Sequence, residues 1–509
     1  MNAETFFEHH GIDTNPFSAE EARLDPIFDR LPGGATDHPD FAKIMGRIDQ
    51  PATAVVFGEK GSGKTAIRLM LGRKINEHNK QPDNEPILVV AYDDLNPVLD
   101  KLLSAKRQKA EAMLKGFRLE DHQDAILARA VTKLVSAMLG EKDHTPEPVP
   151  RIDTSRKAIK ALPKQTRLDL AMLAALYDEP SSGSALPRFE KIKRMMHIGW
   201  HLPQWLVLTK AIVYSAAAAA LYIMRRIMED QPGWLMPALV IAIVVALLLW
   251  ALYLYRQFKL WSLARKVSRE MPAVKRGSDT LRKMFELFRA GQLKGQPIPT
   301  PPRGDTTLGD TRYQLTRRFV TALGDMGFAG MLVFIDRLDE PTLVHGDAEK
   351  MKAIAWPMFD NKFLKQERVG LKLLLPLELR YELARESATF FQEARLDKQN
   401  LVNELTWSGA TLYDLCNKRL SACHAGGGEA PTLRSIFDED VSREMLIDAL
   451  DQMHQPRDAF KFLYAAIQEH CRLVAEDEKN YKIARLTLES VRRDQAKRVQ
   501  ELYRGRGPA

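Results

Sequence analysis

The densest concentration of chemistry in this sequence is the octapeptide Gly58-Glu59-Lys60-Gly61-Ser62-Gly63-Lys64-Thr65. Its glycines let backbone amides turn inward around a phosphate, Lys64 reaches β- and γ-phosphate oxygens, and the Thr65 hydroxyl is a ligand for magnesium. The apolar run Ala54 to Phe57 (AVVF) before it suits a buried strand. The stretch AIRLMLGRKI after it suits a helix whose positive N-terminus faces the bound anion. Together they make a complete Walker A motif in the strand, loop and helix order it requires. ATP and Mg2+ are therefore the expected ligands. A guanine nucleotide fits less well, because Asn361-Lys362-Phe363-Leu364 lacks the aspartate of a guanine-reading Asn-Lys-x-Asp element.

A phosphate loop needs a second carboxylate, expected on a neighbouring strand, and Met331 to Asp339 (MLVFIDRLD) is an apolar run ending in acid. Asp336 is expected to hold the magnesium shell with Thr65. Asp339 and Glu340 are the candidates for orienting an attacking water, and Glu340 is preferred because an acid at the strand tip can face the γ-phosphate. With Lys64, these two acids form the expected catalytic set.

The remaining pattern says what must position these groups. Ile87 to Tyr92 (ILVVAY) and Leu371 to Leu375 (LKLLL) read as further buried strands, so the fold class is an α/β P-loop core with a parallel sheet. Leu127, Val131, Leu134, Val135 and Met138 share one helical face after an Asp121 cap, as in a helix beside the sheet. Pro146, Pro148 and Pro150 leave this first half, residues 150–200 read as helical, and Gln296 to Pro302 (QPIPTPP) marks the return. From Leu401 onward, Leu405, Trp407, Leu412, Leu415 and Leu420 recur at helical spacing up to the break at Gly426 to Gly428, predicting a helical lid. The expected organisation is a lead-in over 1–50, a first core half over 51–145, a helical insertion over 146–305, a second core half over 306–400, and lid helices over 401–509. Of the 509 residues, 45% are apolar and 28% charged, the balance of a folded globular chain. Three cysteines, Cys416, Cys423 and Cys471, without metal-binding spacing, indicate neither a disulfide framework nor a zinc site.

The insertion carries a membrane signal. Trp234 to Tyr255 (WLMPALVIAIVVALLLWALYLY) holds about 22 residues without a charge, enough to cross a hydrocarbon core of roughly 30 Å. Trp205 to Met224 is a milder partner in which Lys210 must snorkel, so a two-helix transmembrane hairpin is expected over about 205–224 and 234–255. The opening MNAETFFEHHGID is not a signal peptide. Lys191, Lys193 and Arg194 before the pair, and Arg256 and Lys259 after it, predict cytoplasmic termini and core in an inner or cell membrane, with the loop Arg225 to Gly233 outside. Arg225 and Arg226 oppose that orientation slightly. Trp200, Trp205, Trp234, Tyr253, Tyr255 and Trp261 sit at interface depths. Net charge is +8, and from Arg256 to Met284 nine basic residues, including Arg276, face two acidic ones. Anionic lipid explains that charge without requiring nucleic acid as a partner. The basic face of the terminal helix, from Arg492 to Arg506, is a solvated surface or a contact for lipid or a partner.

These residues resemble the KAP and STAND-related group of P-loop NTPases, whose KAP members carry transmembrane helices between the two nucleotide motifs. Phe334-Ile335-Asp336-Arg337-Leu338-Asp339-Glu340 is closer to the NACHT-like acidic pattern than to the KAP pattern ending in arginine. Asn15-Pro16-Phe17 is similar to that group's adenine-side segment. Arg380 resembles its sensor arginine, although an ordinary surface arginine reads the same way. Pro456-Arg457 is similar to the lid's Gly-x-Pro-Arg element, with His454 at the glycine position. The resemblance implies a nucleotide-contacting Arg457 and a homo-oligomeric, nucleotide-dependent switch in phage defence or stress signalling. A nucleic-acid or protein remodelling motor and a membrane scaffold with little hydrolysis are the alternative readings.

Overall fold

The computed structural model describes residues 1–17, 21–31, 38–106, 108–141, 145, 147–180, 183–198, 204–228, 232–301, 308–425, 428–475 and 479–503. Five strands, β1 (Ala54–Gly58), β2 (Ile87–Tyr92), β3 (Gly330–Ile335), β4 (Val369–Pro376) and β5 (Asn400–Val402), form one all-parallel sheet in the order β2-β3-β4-β1-β5. Near-continuous apolar runs suit strands covered on both faces, and β1, β3 and β4 are buried along their whole length. Two expectations change here. The strand carrying Asp336 is not adjacent to β1, because β4 lies between them. The stretch starting at Leu401 begins as strand rather than helix, since Ala54 to Val56 of β1 have room on their free edge to pair with Asn400 to Val402.

The chain divides into two compact units, residues 1–95, 145–148 and 329–509, and residues 96–144 and 149–328. The sheet unit has two cores. One lies under the sheet, where Phe28, Leu31, Phe41 and Ile44 meet Val56, Ile67, Leu71 and Phe334. The other joins Phe6, Phe7, Phe17 and Ile27 to Trp407, Leu412, Leu415, Phe462 and Leu463 of the C-terminal helices. The N-terminal segment contributes to both, so that its described parts, 1–17, 21–31 and 38–45, act as a strap across the unit. The three cysteines are buried thiols in it.

One charge lies inside the sheet. Lys372 is fully buried in β4, and its ammonium donates to the carbonyls of Ile44 (2.7 Å), Met45 (3.0 Å) and Ala52 (2.7 Å). It fastens the segment leading into β1 to the central strand. Burial pushes the lysine down to about 7.

The second unit is helical. The Leu119–Met138, Lys164–Tyr177 and Leu308–Asp325 helices pack together. Leu119–Met138 therefore belongs to this unit, whose boundary at Asn96 falls earlier than the expected one near 145. Asp121 is at the third helical position, accepting from Arg118 N, rather than at the cap. At the centre, Arg312 donates to Asp124 Oδ2 (3.2 Å) and to the carbonyl of Glu270 (2.6 Å), and Tyr177 donates to Asp124 Oδ1 (2.8 Å). Glu270 ends a helix of 36 residues, Leu235–Glu270, which packs against the Gln204–Ile227 helix along its apolar part and against Ser278–Glu286 near its basic end. Trp250 Nε1 donates to Ser215 Oγ at 3.3 Å between the apolar helices. Both are long and apolar enough to cross a membrane. Val240, Ile241, Val244, Leu247, Leu248 and Leu252 are exposed on the longer one. Arg276 leaves the basic surface count, since it is buried against the carbonyl of Asp178. Trp200, Pro146, Pro302, Gly426, Gly427, Arg504, Arg506, the centre of the 225–233 loop and the side chain of Trp205 lie outside what is described.

The Lys372 site gives a signed pH dependence. Its folded pKa lies below the ordinary lysine value, so unfolding takes up a proton between about pH 7 and the ordinary range near 10.5, and stability rises with pH across that window. Denaturant titrations between pH 7 and 9 should show a slope of up to about 1.4 kcal/mol per pH unit from this group. That slope should vanish in Lys372→Met.

Candidate functional site

The C-terminal ends of parallel strands share one edge of a sheet, and a crevice opens where successive connections leave in opposite directions. Here β1 connects to β2 on one side, whereas β4 connects to β5 past β1 on the other. A cleft of about 530 Å³ lies at this edge, lined by residues of the 59–67 loop and helix start, Asp336 to Glu340, the N-terminal strap and the C-terminal helices.

The loop leaves β1 at Gly58 and enters the Lys64–Lys80 helix. Gly61 (φ 94°) and Gly63 (φ 92°) hold left-handed backbone that only glycine adopts without strain. A Cβ on Gly61 would also meet Gln455 Oε1 at 2.8 Å and Arg457 Cβ at 3.0 Å, so the C-terminal helices rest directly on the loop. Trp407 Nε1 donates to Ser62 O at 2.8 Å, and Gln455 donates to the Glu59 carboxylate. Lys64 curls back to the carbonyls of Gly58 (2.7 Å) and Glu59 (2.8 Å). Burial lowers its pKa, opposed by Asp336, Asp339 and Glu378.

Asp336 follows the end of β3 and is fully enclosed. Its Oδ2 accepts from Thr65 Oγ1 at 3.0 Å, and its Oδ1 accepts from Arg337 N at 2.9 Å. Burial raises the carboxyl's pKa, while Lys64, the Thr65 bond and Arg68 favour its charge. Strands are spaced roughly 4.8 Å apart, so an acid two strands from β1 stands nearly 10 Å away at the backbone. The side chains of Thr65 and Asp336 close that gap. The chain then turns sharply at Arg337 (φ 62°). Arg337 Nε lies 3.1 Å from Glu340 Oε1, leaving the Glu340 side chain 52% exposed, whereas Asp339 is 15% exposed and 3.8 Å from Lys60 Nζ. Glu340 is raised by burial against the opposing pull of Arg337.

Of the expected site residues, Glu59, Lys60, Gly61, Gly63, Lys64, Thr65, Asp336, Asp339, Glu340 and Arg457 line one cleft. Gly58 and Ser62 shape the loop from behind. Arg380 is not among the lining residues; it sits half-buried in the Leu377–Leu383 helix, while Glu378 of that helix acts on Lys64. His454 takes φ 59°, the conformation for which a glycine would serve at that position. The side chains that sequence reasoning missed are Phe28, Met70, Leu415, Arg419 and Phe460, which line the cleft beyond the loop. The apolar four carried only apolar periodicity, which marks core and cleft walls alike, and Arg419 carried no local signal at all.

The chain matches no protein-family model, no curated protein and no solved structure.

The loop and the C-terminal helices should be separable by a single methyl group. Gly61→Ala adds backbone strain of about 1–3 kcal/mol and displaces Gln455 and Arg457. Thermal unfolding of the sheet unit should shift downward, and protease should cut sooner near residue 454.

Proposed function

We propose that this protein is a P-loop ATPase attached to a membrane by its paired apolar helices, with bound nucleotide setting how the C-terminal helices pack on the loop. The observation that carries this reading is the meeting of Lys64 and Thr65, at one helix N-terminus, with Asp336 from the end of a different strand, under a loop that Trp407, Gln455 and Arg457 touch. The amides of the loop and of the first turn of the Lys64–Lys80 helix supply donors for phosphate oxygens. Lys64 would leave the Gly58 and Glu59 carbonyls for the β- and γ-phosphates. Arg457, beside Gly61 with a buried Nε that has no partner among the described residues, is placed to answer the same charge.

The donor set fits magnesium: a hydroxyl and a carboxylate oxygen 3.0 Å apart are the spacing of adjacent ligands on an octahedral ion with bonds of roughly 2.1 Å. Thr65 and Asp336 would hold the ion, and its charge would offset that of the transferring phosphoryl group. Glu340 is assigned to orient the attacking water, with Asp339 next in line; Arg337 steers the first and Lys60 the second. Contact between the C-terminal helices and the loop makes hydrolysis a packing event, which favours a switch over a scaffold that merely holds nucleotide. By the sequence resemblance, this switch belongs with KAP and STAND-related NTPases and acts as a homo-oligomer. The flanking charges support a cytoplasmic core and cytoplasmic termini.

Lys64→Ala should abolish or greatly weaken ATP binding, measured by isothermal titration, and leave membrane attachment intact. Glu340→Gln should still bind Mg·ATP but turn over roughly a hundredfold more slowly or worse. Normal turnover in Glu340→Gln with loss in Asp339→Asn would move the water-orienting role by one residue. Normal turnover in both would end the assignment to this segment.

For the membrane part, alkaline carbonate should fail to extract the full chain, because the Leu235–Glu270 helix alone exposes many apolar side chains. Protease outside spheroplasts should reach only the 225–233 loop. Recovery of intact protein in the soluble fraction, or cleavage near residue 50 or 450 from outside, contradicts this attachment.

A further inference from the structure

We infer that Arg419 reads the base of the bound nucleotide, donating from Nη2 to a ring nitrogen of adenine; the inference rests on the nucleotide reading of the cleft. Arg419 stands on the Gly409–Ala422 helix, lines the cleft, and is 2% exposed. Two of its three nitrogens are committed: Nε donates to Pro16 O at 2.6 Å and Nη1 to Asp25 Oδ2 at 2.5 Å. Nη2 is buried and has no partner among the described residues. A buried charged donor left unpaired is costly, and an acceptor brought in by a ligand removes that cost.

The surroundings say which acceptor. Phe28, Leu31, Met70, Leu415 and Phe460 give this part of the cleft apolar walls, suited to a flat ring rather than to phosphate. Phe460 lies under the guanidinium at 4.5 Å, fixing its plane. Met70 is five residues beyond Thr65 on one helix, hence roughly 7.5 Å along its axis from the phosphate end. Asp25 Oδ1 accepts from Ile27 N at 3.0 Å and Oδ2 from Arg419. A carboxylate has about four acceptor sites, so two remain beside the free Nη2. A donor next to an acceptor complements a purine edge carrying a ring nitrogen next to an amino group, as adenine does. Arg457 packs on Gly61 and serves the other end.

The test uses the full chain in detergent and measures competition binding of ATP, GTP, 2′-deoxy-ATP and the 1-, 3- and 7-deaza analogues of ATP. One deaza analogue should bind wild type about tenfold to a hundredfold more weakly than ATP, as for a lost hydrogen bond to a charged group. Arg419→Met should bring that analogue within about threefold of ATP, because the discriminating donor is gone, an effect that mere loosening of Asp25 and Pro16 cannot produce. Arg419→Lys, which keeps the charge but loses the three-nitrogen fork, should weaken the discrimination as well. If all three analogues bind wild type within about threefold of ATP, the inference falls without any variant being needed. It also falls if GTP binds as tightly as ATP, if only the 2′-deoxy compound loses affinity, or if Arg419→Met keeps the discrimination. Failure of wild type to bind ATP at all would instead remove the nucleotide reading beneath it.

Discussion

Parallel pairing of β2 with β3 is the constraint from which the rest follows. Two parallel neighbours cannot be joined by a tight turn; the chain must leave the C-terminal edge of one and return to the N-terminal edge of the other. The connection here runs through residues 93–329 and contains the whole helical unit together with the short return to the sheet unit at 145–148. Parallel order also puts every strand's C-terminal end on one side, so the loop after β1 and the acids after β3 arrive together although they are distant in sequence and separated by β4. Asp336 lies 271 residues beyond Thr65 and still accepts its hydroxyl.

Buried charge is concentrated where segments distant in sequence must be held. Lys372 fixes the approach to β1, Arg419 ties the strap at Pro16 and Asp25 to the C-terminal helices, and Arg68 on the Lys64–Lys80 helix lies 3.3 Å from Asp93 and 3.8 Å from Glu147. Glu147 belongs to the short segment where the chain, between two stretches of the helical unit, returns to the sheet unit. The Arg419 and Arg68 pairs lie largely out of water, where removal of one partner costs far more than the pair gains over an apolar substitute. Such charges set which segments meet, whereas the apolar cores supply the net stability.

The sheet and the shape of the loop after β1 were legible because both are local. AVVF, ILVVAY, MLVFI and LKLLL are short apolar runs, and each became a strand within one or two residues. The octapeptide carries its own backbone geometry in its glycines. Beyond these, legibility failed wherever the outcome depended on a partner distant in the chain. Asn400 to Val402 became strand only because β1 had a free edge. Arg276 read as surface charge but is buried against Asp178. Arg380 followed the right strand yet does not line the cleft, whereas Arg419, hidden among helical leucines, does. An arginine's direction is a property of the packed helix that bears it, and no local spacing encodes it.

The Leu235–Glu270 helix runs from its exposed apolar face to the carbonyl that Arg312 grips, and from Ala238 to Glu270 it contains neither glycine nor proline. Helices kink at such residues or where the hydrogen-bond ladder is interrupted. Beyond Tyr255 a further 15 residues rise roughly 22 Å before the helix ends. Set in a bilayer, such a rod behaves as a mast stepped in its own deck: thinning or stretching of the lipid changes its lean, and the whole of that lean arrives, undivided by any joint, at the Arg312, Asp124 and Tyr177 footing.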